Sequence, residues 1–361
     1  MSFSLQQAWR RRSGLAALLW PLSVLYGTLA GLRRALYRLG LRQSRHLPVP
    51  TVVVGNVIAG GAGKTPVTIA LVQALQHAGI AAGVIARGYG RQSRDCRAVT
   101  ATSSAGEVGD EPLLIHRATG APVFVAARRH DAGMALLQAH PEVRIIVCDD
   151  GLQHLALERD FEICVFPANG IGNGWLLPAG PLREPWPRKV DAVLQAPGIA
   201  PALPLPAATP SWTLQRRLAD AAHNAQGQTI PLAQLAALQA EAGAAPLAAV
   251  AGIARPESFF EMLQARGLHL HTRIALPDHF DYAAPPAATP TLQAWQALQV
   301  LPVGTPLLCT EKDAVKLWSL RPDAWAVPLE VTLPQPLVNA VLALLDTNDA
   351  ASLRSSSMQS P

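Results

Sequence analysis

A glycine-rich segment with a lysine and a threonine at its end lies near the start of the chain, where residues 52–71 read VVVGNVIAGGAGKTPVTIAL. A nucleotide-phosphate loop usually has a glycine, four residues and then Gly-Lys-Ser/Thr. Gly63, Lys64 and Thr65 supply the end, but Ile58 stands where the first glycine belongs. The phosphate donors are still present, because glycine-rich turns and helix N-termini bind phosphate, the lysine reaches the β- and γ-phosphates, and the threonine ligates Mg²⁺. The predicted nucleotide-binding residues are Gly60, Gly61, Ala62, Gly63, Lys64 and Thr65.

Two adjacent acids follow a predicted apolar strand. The segment RIIVCDDGLQH, residues 144–154, ends its apolar run with Asp149 and Asp150. Ligands of open α/β sheets bind beyond the carboxyl ends of the strands, so we expect one of these acids to hold Mg²⁺, directly or through water. A helix N-cap is the alternative role for a single aspartate, but two adjacent acids beside a nucleotide loop favour the metal. The sequence does not decide which of the two contacts the metal directly.

Two further motifs contain polar residues that can exchange protons: GDEP, with Asp110 and Glu111, and PDHFDY, with His279. Alone, GDEP fits a solvated turn, and a lone histidine is more often structural. Together they fit a kinase, because a hydroxyl acceptor must lose its proton and a carboxylate oriented by a histidine is a usable base.

The elements that must position these residues alternate between strands and helices. Residues 66–78 have apolar side chains at helical spacing, with Pro66 in the first turn and Gly79 after the end. Continuous apolar strands that alternate with helices predict a buried parallel sheet. The strands predicted before residue 200 are 51–54, 83–86, 122–126, 144–148, 161–166 and 190–195.

A second, smaller α/β domain is predicted after a proline-rich stretch at 197–210. Residues 212–218 and 229–232 fit a hairpin, in which Pro231 confines the second run to an edge. The elements predicted after it are strand 247–251, helix 256–266, and strands 268–275, 306–310 and 326–331. The predicted divisions are 1–48, a membrane-associated segment; 49–205, a P-loop kinase domain; 206–235, a hairpin linker; 236–346, the second domain; and 347–361, a polar, disordered tail.

Positive charge is concentrated at the N-terminus. Residues 1–50 contain eight arginines and no acid, so they carry +8 of a chain whose total is +5, and the remainder carries −3. Since the folded body is not basic, no nucleic-acid partner is expected.

The uncharged run 15–32 would form a helix about 27 Å long, at the short limit for a bilayer core. A cleaved signal peptide and a core helix are alternatives, but arginine-rich flanks favour a membrane anchor, spanning or interfacial, with a cytoplasmic body.

The cysteines favour a reducing compartment. Cys96, Cys148, Cys164 and Cys309 form no CxxC pair, and the last three lie in apolar, strand-like runs. Buried, reduced thiols of a cytosolic protein are therefore expected.

In combination, the motifs resemble the tetraacyldisaccharide 4′-kinase family, the lipid A 4′-kinases of Gram-negative bacteria. The phosphate loop without its first glycine is a feature of that family, so the exception in this chain supports the resemblance. The shared motifs run in order from residue 54 to 316 and are VGNVIAGGAGKTP, ARGYGR, GDEP, DDGLQH, PAGPLREP, AGIARPESFF, PDHFDY and TEKDAVK.

The resemblance implies two α/β/α lobes, the first of P-loop type, joined by a two-stranded linker, with the active site in the cleft. It implies transfer of the γ-phosphate of ATP to the 4′-hydroxyl of a tetraacylated disaccharide 1-phosphate, which gives lipid IVA. ATP and Mg²⁺ are the implied cofactors. The implied partners are the glycolipid and the lipid of the inner membrane, at whose cytoplasmic face the enzyme works.

Residue by residue, the resemblance assigns Asp110 as the catalytic base and His279 as its partner. Asp149 and Asp150 correspond to the magnesium acids, and Glu111 is a further candidate near the metal. The residues expected to line the cleft are Arg87, Tyr89, Gln153, His154 and Arg183.

Two other classes fit part of the sequence. Deviant-loop ATPases that act as membrane-associated switches place a lysine just before the Gly-Gly pair, where this chain has Ala59. They also act on water, which leaves GDEP and the distant histidine without a role. A cytosolic small-molecule kinase with an incidental anchor is the third possibility. An assay with ATP and a glycolipid acceptor separates the three classes.

Overall fold

Two mainly parallel sheets and a short two-stranded sheet form the core of the computed structural model. The structure describes residues 9, 11–199, 202–241, 246–283, 286, 289–302 and 304–357. The helices in chain order are α1 (Gly14–Arg38), α2 (Lys64–His77), α3 (Ala105–Val108), α4 (Asp110–Thr119), α5 (Arg129–Ala139), α6 (Leu232–Gln239), α7 (Pro256–Ala265), α8 (Thr289–Gln299), α9 (Glu311–Leu317) and α10 (Gln335–Ser357).

The first sheet has the order β3-β4-β2-β5-β1-β6-β7-β8. All neighbours pair in parallel except β3 and β4. The sheet confirms the parallel arrangement and the strands predicted before residue 200, with ends that shift by one or two residues. Its strands are β1 (Thr51–Gly55), β2 (Ala82–Ala86), β3 (Arg97–Ala98), β4 (Val123–Val125), β5 (Ile145–Asp149), β6 (Phe161–Phe166), β7 (Ala192–Gln195) and β8 (Ser211–Thr213).

Both faces of this sheet are covered, which explains why its strands are apolar throughout. On one face, Val52 and Val54 belong to a buried cluster with α2, α4 and α10. On the other face, Val53 packs in a cluster with α5. Successive side chains of a strand point to opposite faces, so both parities must be apolar. Cys148, Cys164 and Cys309 are buried free thiols, as expected, and Cys96 is exposed.

The second sheet has the order β11-β10-β15-β14-β12-β13 and confirms a second α/β unit. Four of its strands pair in parallel, while β10 and β11 form an antiparallel edge. The edge position expected for the strand with Pro231 is also confirmed. The strands are β10 (Ala221–His223), β11 (Thr229–Pro231), β12 (Leu247–Ala251), β13 (Leu270–Ala275), β14 (Leu307–Thr310) and β15 (Trp325–Val327).

The linker differs from the predicted hairpin. The strand β9 (Gln215–Leu218) pairs antiparallel with β16 (Leu329–Thr332), not with residues 229–232. The local hairpin instead joins β10 to β11, because Asn224 accepts hydrogen bonds from the N–H groups of Gln226 and Gln228 and sets a tight turn there. The single strand predicted at 326–331 is divided into β15 and β16 at Pro328, which has no N–H to donate.

The chain end also differs from expectation. Helix α10 continues to Ser357, whereas a disordered tail was predicted from residue 347. The segment extends a helix that begins at Gln335, and adding residues to a formed helix costs less than nucleating a new one. Residues 358–361 lie outside the described part of the chain.

The N-terminal helix α1 is long and apolar enough to cross a membrane, and only 11% of its apolar window is buried. One face of the helix contacts the body. Ser23 donates to the Leu176 carbonyl at 2.9 Å, and Tyr26 donates to the Arg183 carbonyl at 2.7 Å. The outer face is exposed and includes Leu18, Trp20, Leu22, Leu25, Leu29 and Leu32. This exposure is not that of a core helix.

Candidate active site

The phosphate loop connects β1 to α2, and its geometry explains the unusual isoleucine. Ile58 is 2% exposed and forms an antiparallel bridge with Leu182, while the Ala59 N–H donates to the Pro181 carbonyl at 2.7 Å. The entry to the loop is therefore an extended segment whose side chain packs in the core, and no glycine is required there. Gly63 caps α2 with a φ of +80°, in the left-handed region that favours glycine.

Lys64 begins α2 directly after this turn, and its side chain is 9% exposed. Its Nζ lies 3.7 Å from Oδ1 of Asp150. Asp150 follows β5, which is hydrogen-bonded to β1 in the sheet, so the predicted neighbourhood of the loop and the acidic pair is realised. Arg183 donates to the two carboxylate oxygens of Asp150 at 3.1 and 3.2 Å.

The two adjacent acids have different surroundings. Asp149 accepts hydrogen bonds from Thr68 at 2.8 Å and Thr65 at 3.5 Å. Burial raises the pKa of Asp149 to about 7, and the negative charge of Glu111 acts in the same direction. Burial also raises the pKa of Asp150, but the positive charges of Lys64 and Arg183 outweigh it, so the net shift is downward. At neutral pH Asp150 is therefore the more fully ionised member of the pair.

The donor set of this region suits Mg²⁺. The hydroxyl of Thr65 and the carboxylates of Asp149 and Asp150 are hard oxygen ligands, which Mg²⁺ prefers. Among the residues that the structure describes, no three His, Cys, Asp or Glu side chains form a cage for a metal ion. A Mg²⁺ site does not require such a cage, because Mg²⁺ binds through one or two carboxylates, water and substrate phosphates.

Asp110 and His279 are in contact. Nδ1 of His279 lies 3.2 Å from Oδ2 of Asp110, and Lys316 donates to the same oxygen at 2.8 Å. Burial opposes ionisation of Asp110, but the hydrogen bonds from His279 and Lys316 outweigh it and lower the pKa of Asp110. Asp110 is therefore a carboxylate at neutral pH. Its Oδ1 accepts no hydrogen bond from the described residues.

The tautomer of His279 follows from its two hydrogen-bond contacts, since the third neighbour, Oδ1 of Asp278, lies 4.0 Å from Nε2 and beyond hydrogen-bond distance. Lys312 approaches Nε2 of His279 at 3.3 Å, and an ammonium has no lone pair and can only donate. Nε2 must then be the acceptor, so the ring proton is on Nδ1 and is donated to Asp110. Lys312 also donates to Asp278 at 2.8 Å and lies 3.8 Å from Glu111.

Lys312 and Lys316 are site residues that the sequence reasoning missed, although their motif TEKDAVK was noted. They lie four residues apart on α9, hence on one face of the helix. Thr310 caps this helix and accepts from the Asp313 N–H at 3.1 Å. The composition could have pointed to these residues, because lysine is rare in this chain and arginine supplies its other strongly basic side chains. The four lysines are Lys64, Lys189, Lys312 and Lys316. Three of those four lysines meet in this site.

The residues expected to line the cleft have separate positions. The Tyr89 ring is exposed and lies 5.5 Å from the His279 ring, centroid to centroid. Gln153 donates to the Asn56 carbonyl at 2.8 Å and to Glu184 at 2.7 Å, beside Arg183. Arg87 is exposed after β2 and forms no hydrogen bond or ion pair within the described residues.

His154 supports the structure next to the site. Its Nε2 accepts from the Arg129 N–H at 3.3 Å, at the start of α5. Burial, reinforced by the charges of Arg129 and Arg159, lowers the pKa of His154 to about 4. The ring is therefore neutral at physiological pH and serves as a hydrogen-bond acceptor.

The N-terminal helix is connected to the same region. Arg34 of α1 lies 3.1 Å from Glu184, which also accepts from Gln153. Tyr26 donates to the carbonyl of Arg183, whose side chain pairs with Asp150. Arg183 therefore connects the apolar helix to the acidic pair, because its carbonyl accepts from Tyr26 and its guanidinium pairs with Asp150.

Comparison with known proteins gives one consistent result. A family model described as Tetraacyldisaccharide-1-P 4′-kinase matches residues 15–346. A tetraacyldisaccharide 4′-kinase of Acidovorax sp. (strain JS42) is 58% identical over 354 residues, which cover 98% of this chain and 96% of the relative. Another from Delftia acidovorans is 51% identical over 331 residues, 91% of each chain. A crystal structure of LpxK from Aquifex aeolicus in complex with ATP is similar with a TM-score of 0.75 at 26% identity, and the match covers 92% of this chain and 99% of that one.

Proposed function

The chain belongs to the tetraacyldisaccharide-1-P 4′-kinase family, and on that premise we propose that it transfers the γ-phosphate of ATP to the 4′-hydroxyl of a tetraacylated disaccharide 1-phosphate. The product is the corresponding 1,4′-bisphosphate, lipid IVA. Neither the family model nor the relatives described above favour a nucleotide-driven switch.

The observation that carries the proposal is the contact between Asp110 and His279. A phosphate loop and an acidic pair suffice for a nucleotide hydrolase, but a hydroxyl acceptor also needs a group that takes its proton. Asp110 meets that requirement, since it is ionised and its Oδ1 is uncommitted among the described residues. His279 orients the carboxylate through Nδ1–H, and Lys316 donates to the same oxygen, Oδ2, which leaves Oδ1 for the acceptor.

The phosphate loop residues bind the nucleotide. The backbone N–H groups of Gly60, Gly61, Ala62 and Gly63 and the positive end of α2 cradle the phosphates. Lys64 presents its charge to the β- and γ-phosphates, where negative charge is redistributed in the transition state. Thr65, Asp149 and Asp150, with Glu111 nearby, would hold Mg²⁺, which neutralises phosphate charge when bound.

The acceptor is a lipid, and the N-terminal segment meets it at the membrane. The exposed leucines of α1 and its arginine-rich flanks suit the cytoplasmic face of the inner membrane, where anionic lipid attracts basic residues by about 1 kcal/mol each. Because α1 contacts the loop that carries Arg183, the acceptor headgroup would enter beside Arg183, Gln153 and Tyr89.

The test is an assay of purified protein with γ-labelled ATP and Mg²⁺, run with and without the tetraacylated disaccharide 1-phosphate. The expected result is label in the lipid at the 4′-position, with little release of inorganic phosphate without lipid. Phosphate release that is independent of the lipid would favour the ATPase switch. Transfer to a water-soluble sugar instead of the lipid would favour the small-molecule kinase.

A further inference from the structure

An arginine of the linker lies against the phosphate loop. Arg216 is in β9, and its Nη2 donates to the carbonyl of Ala62 at 3.1 Å. The guanidinium is so close to the next residue that a Cβ at Gly63 would lie 2.5 Å from Nη2. The conformation of the turn that precedes Lys64 is therefore fixed by its left-handed backbone and by the contact with Arg216.

The surroundings of Arg216 do not neutralise it. No carboxylate forms an ion pair with Arg216 in the part of the chain that the structure describes, and its buried Nε has no hydrogen-bond partner there. Burial lowers the pKa of Arg216, and the nearby positive charge of Arg255 lowers it further. Arg255 follows Ala254, which is close enough to Gly61 that a Cβ there would lie 2.7 Å from the Ala254 methyl.

A charge in this position needs a counter-charge. Removing a cation from water without an anion is costly, so the partly buried guanidinium of Arg216 favours an anionic partner. A guanidinium has five N–H donors, of which a single one is used among the described residues, on the Ala62 carbonyl. Donors of this fork geometry match phosphate oxygens.

We propose that Arg216 is a further residue of the polyphosphate site, holding the Ala62–Gly63 turn through the Ala62 carbonyl and offering its remaining donors and its charge to the β- and γ-phosphates. This inference rests on the proposed ATP-dependent function. Arg216 adds to the site a cationic group that lies outside the first domain and comes from the linker between the two α/β units.

Arg216 lies on β9, so its contact with the phosphate loop involves the linker. Because β9 pairs with β16, which follows the last strand of the second sheet, a nucleotide held by Arg216 is tied to the segment that joins the two sheets. The adjacent Arg217 provides a matched control, since successive strand residues face opposite sides. Arg217 is 58% exposed and pairs with Asp220 and Glu330.

The experiment compares Arg216→Gln, Arg216→Lys and Arg217→Gln in the full-length chain in detergent. Binding of ATP, ADP and AMP is measured by calorimetry with Mg²⁺ and without glycolipid, and kcat and KM are measured with the glycolipid. Arg216→Gln should raise the Kd and KM for ATP and the Kd for ADP by about tenfold or more, with a smaller effect on AMP. Arg216→Lys, which keeps the charge, should recover most of the ATP affinity. Arg217→Gln should stay within about twofold of wild type, and the KM for the glycolipid should change in none of them.

Equal ATP affinity of wild type and Arg216→Gln, in proteins with the same thermal unfolding, would overturn the inference and leave the proposed function intact. An equal loss in Arg217→Gln would also overturn it, because the effect would then come from the net charge of the strand. Failure of the wild-type protein to bind ATP would overturn the proposed function itself. If Arg216→Gln does not fold, Arg216→Met, which keeps the apolar length of the side chain without its charge, is measured in its place: a loss of ATP and ADP affinity with a smaller effect on AMP supports the inference, and wild-type affinity for ATP contradicts it.

Discussion

The Nδ1 atom of His279 lies 3.2 Å from Oδ2 of Asp110, although the two residues are 169 positions apart in the chain. Asp110 begins α4 beside the first sheet, and His279 follows β13 of the second sheet. His279 has a φ of +60°, which is uncommon for a residue with a side chain, and residues held in such sparsely populated backbone regions cluster at functional sites. The pair therefore depends on both α/β units.

Lys64→Ala should lower kcat by orders of magnitude, because it removes a buried charge directed at the transferring phosphate. Steady-state kinetics with saturating ATP and glycolipid measure the effect. The matched control is Lys189→Ala, since Lys189 is exposed and far in sequence from the phosphate loop. A variant at Lys64 with near-normal kcat would exclude the phosphate-loop assignment.

Asp150→Asn should raise the Mg²⁺ concentration needed for half-maximal rate, because it removes an ionised oxygen ligand next to Lys64. Asp149→Asn should act in the same direction. The rate is titrated with Mg²⁺ at fixed ATP, with Asp323→Asn as a control that removes a carboxylate paired with Arg321 in the second unit. Unchanged titrations for both Asp149 and Asp150 variants would remove the pair from the metal site.

Replacing the exposed leucines Leu18, Leu22, Leu25 and Leu29 with glutamine should shift the protein from the membrane fraction to the soluble fraction. These side chains form the outer face of α1, and their burial in lipid contributes roughly 1.5–3 kcal/mol each. The inner-face contacts through Ser23 and Tyr26 are kept, so the helix should remain attached to the body. Deletion of residues 1–45 should release the protein as well, and equal partitioning of all three proteins would refute an anchoring role.

His154 should make the folding stability depend on pH. Its folded-state pKa of about 4 lies below the ordinary value of 6.5, so between these values the unfolded chain binds a proton that the folded chain does not. Its contribution is therefore complete above pH 6.5 and is lost as the pH falls toward 4. Allowing for partial exposure of the ring, we expect the loss from pH 7 to pH 5 to be on the order of 1 kcal/mol.

Urea unfolding at the two pH values measures this effect. His154→Gln keeps an acceptor for the Arg129 N–H but cannot take up a proton, so it should lose less stability on acidification than wild type. An equal loss in both proteins would show that His154 does not carry the dependence.

Much of the fold could be predicted from local sequence. Apolar runs such as 145–148 give the strands of a sheet buried on both faces, and Pro66 and Gly79 mark the two ends of α2 to within two residues. The phosphate loop and the acids at the end of β5 could also be anticipated, because parallel neighbours place their carboxyl ends together.

Long-range pairings could not be predicted in the same way. The linker joins residues 215–218 to 329–332, and nothing in either segment selects the other, whereas the turn at Asn224 selects a local partner for β10. Likewise, Lys312 and Lys316 belong to the site only because α9 of the second unit faces α4 of the first. Arg216 was missed for the same reason, since its role depends on where the linker lies and not on its neighbours in sequence.

Asp110 and His279 should act as one unit that takes the proton of the acceptor hydroxyl, and a double-mutant cycle on kcat measures their coupling. Asp110→Ala should lower kcat far more than it raises the KM for ATP, and His279→Ala should lower kcat by a similar or smaller factor. Once either residue is absent, removal of the other should cost little more. If the two losses multiply, the residues act independently, and if Asp110→Ala changes only the KM for ATP, the base is another group.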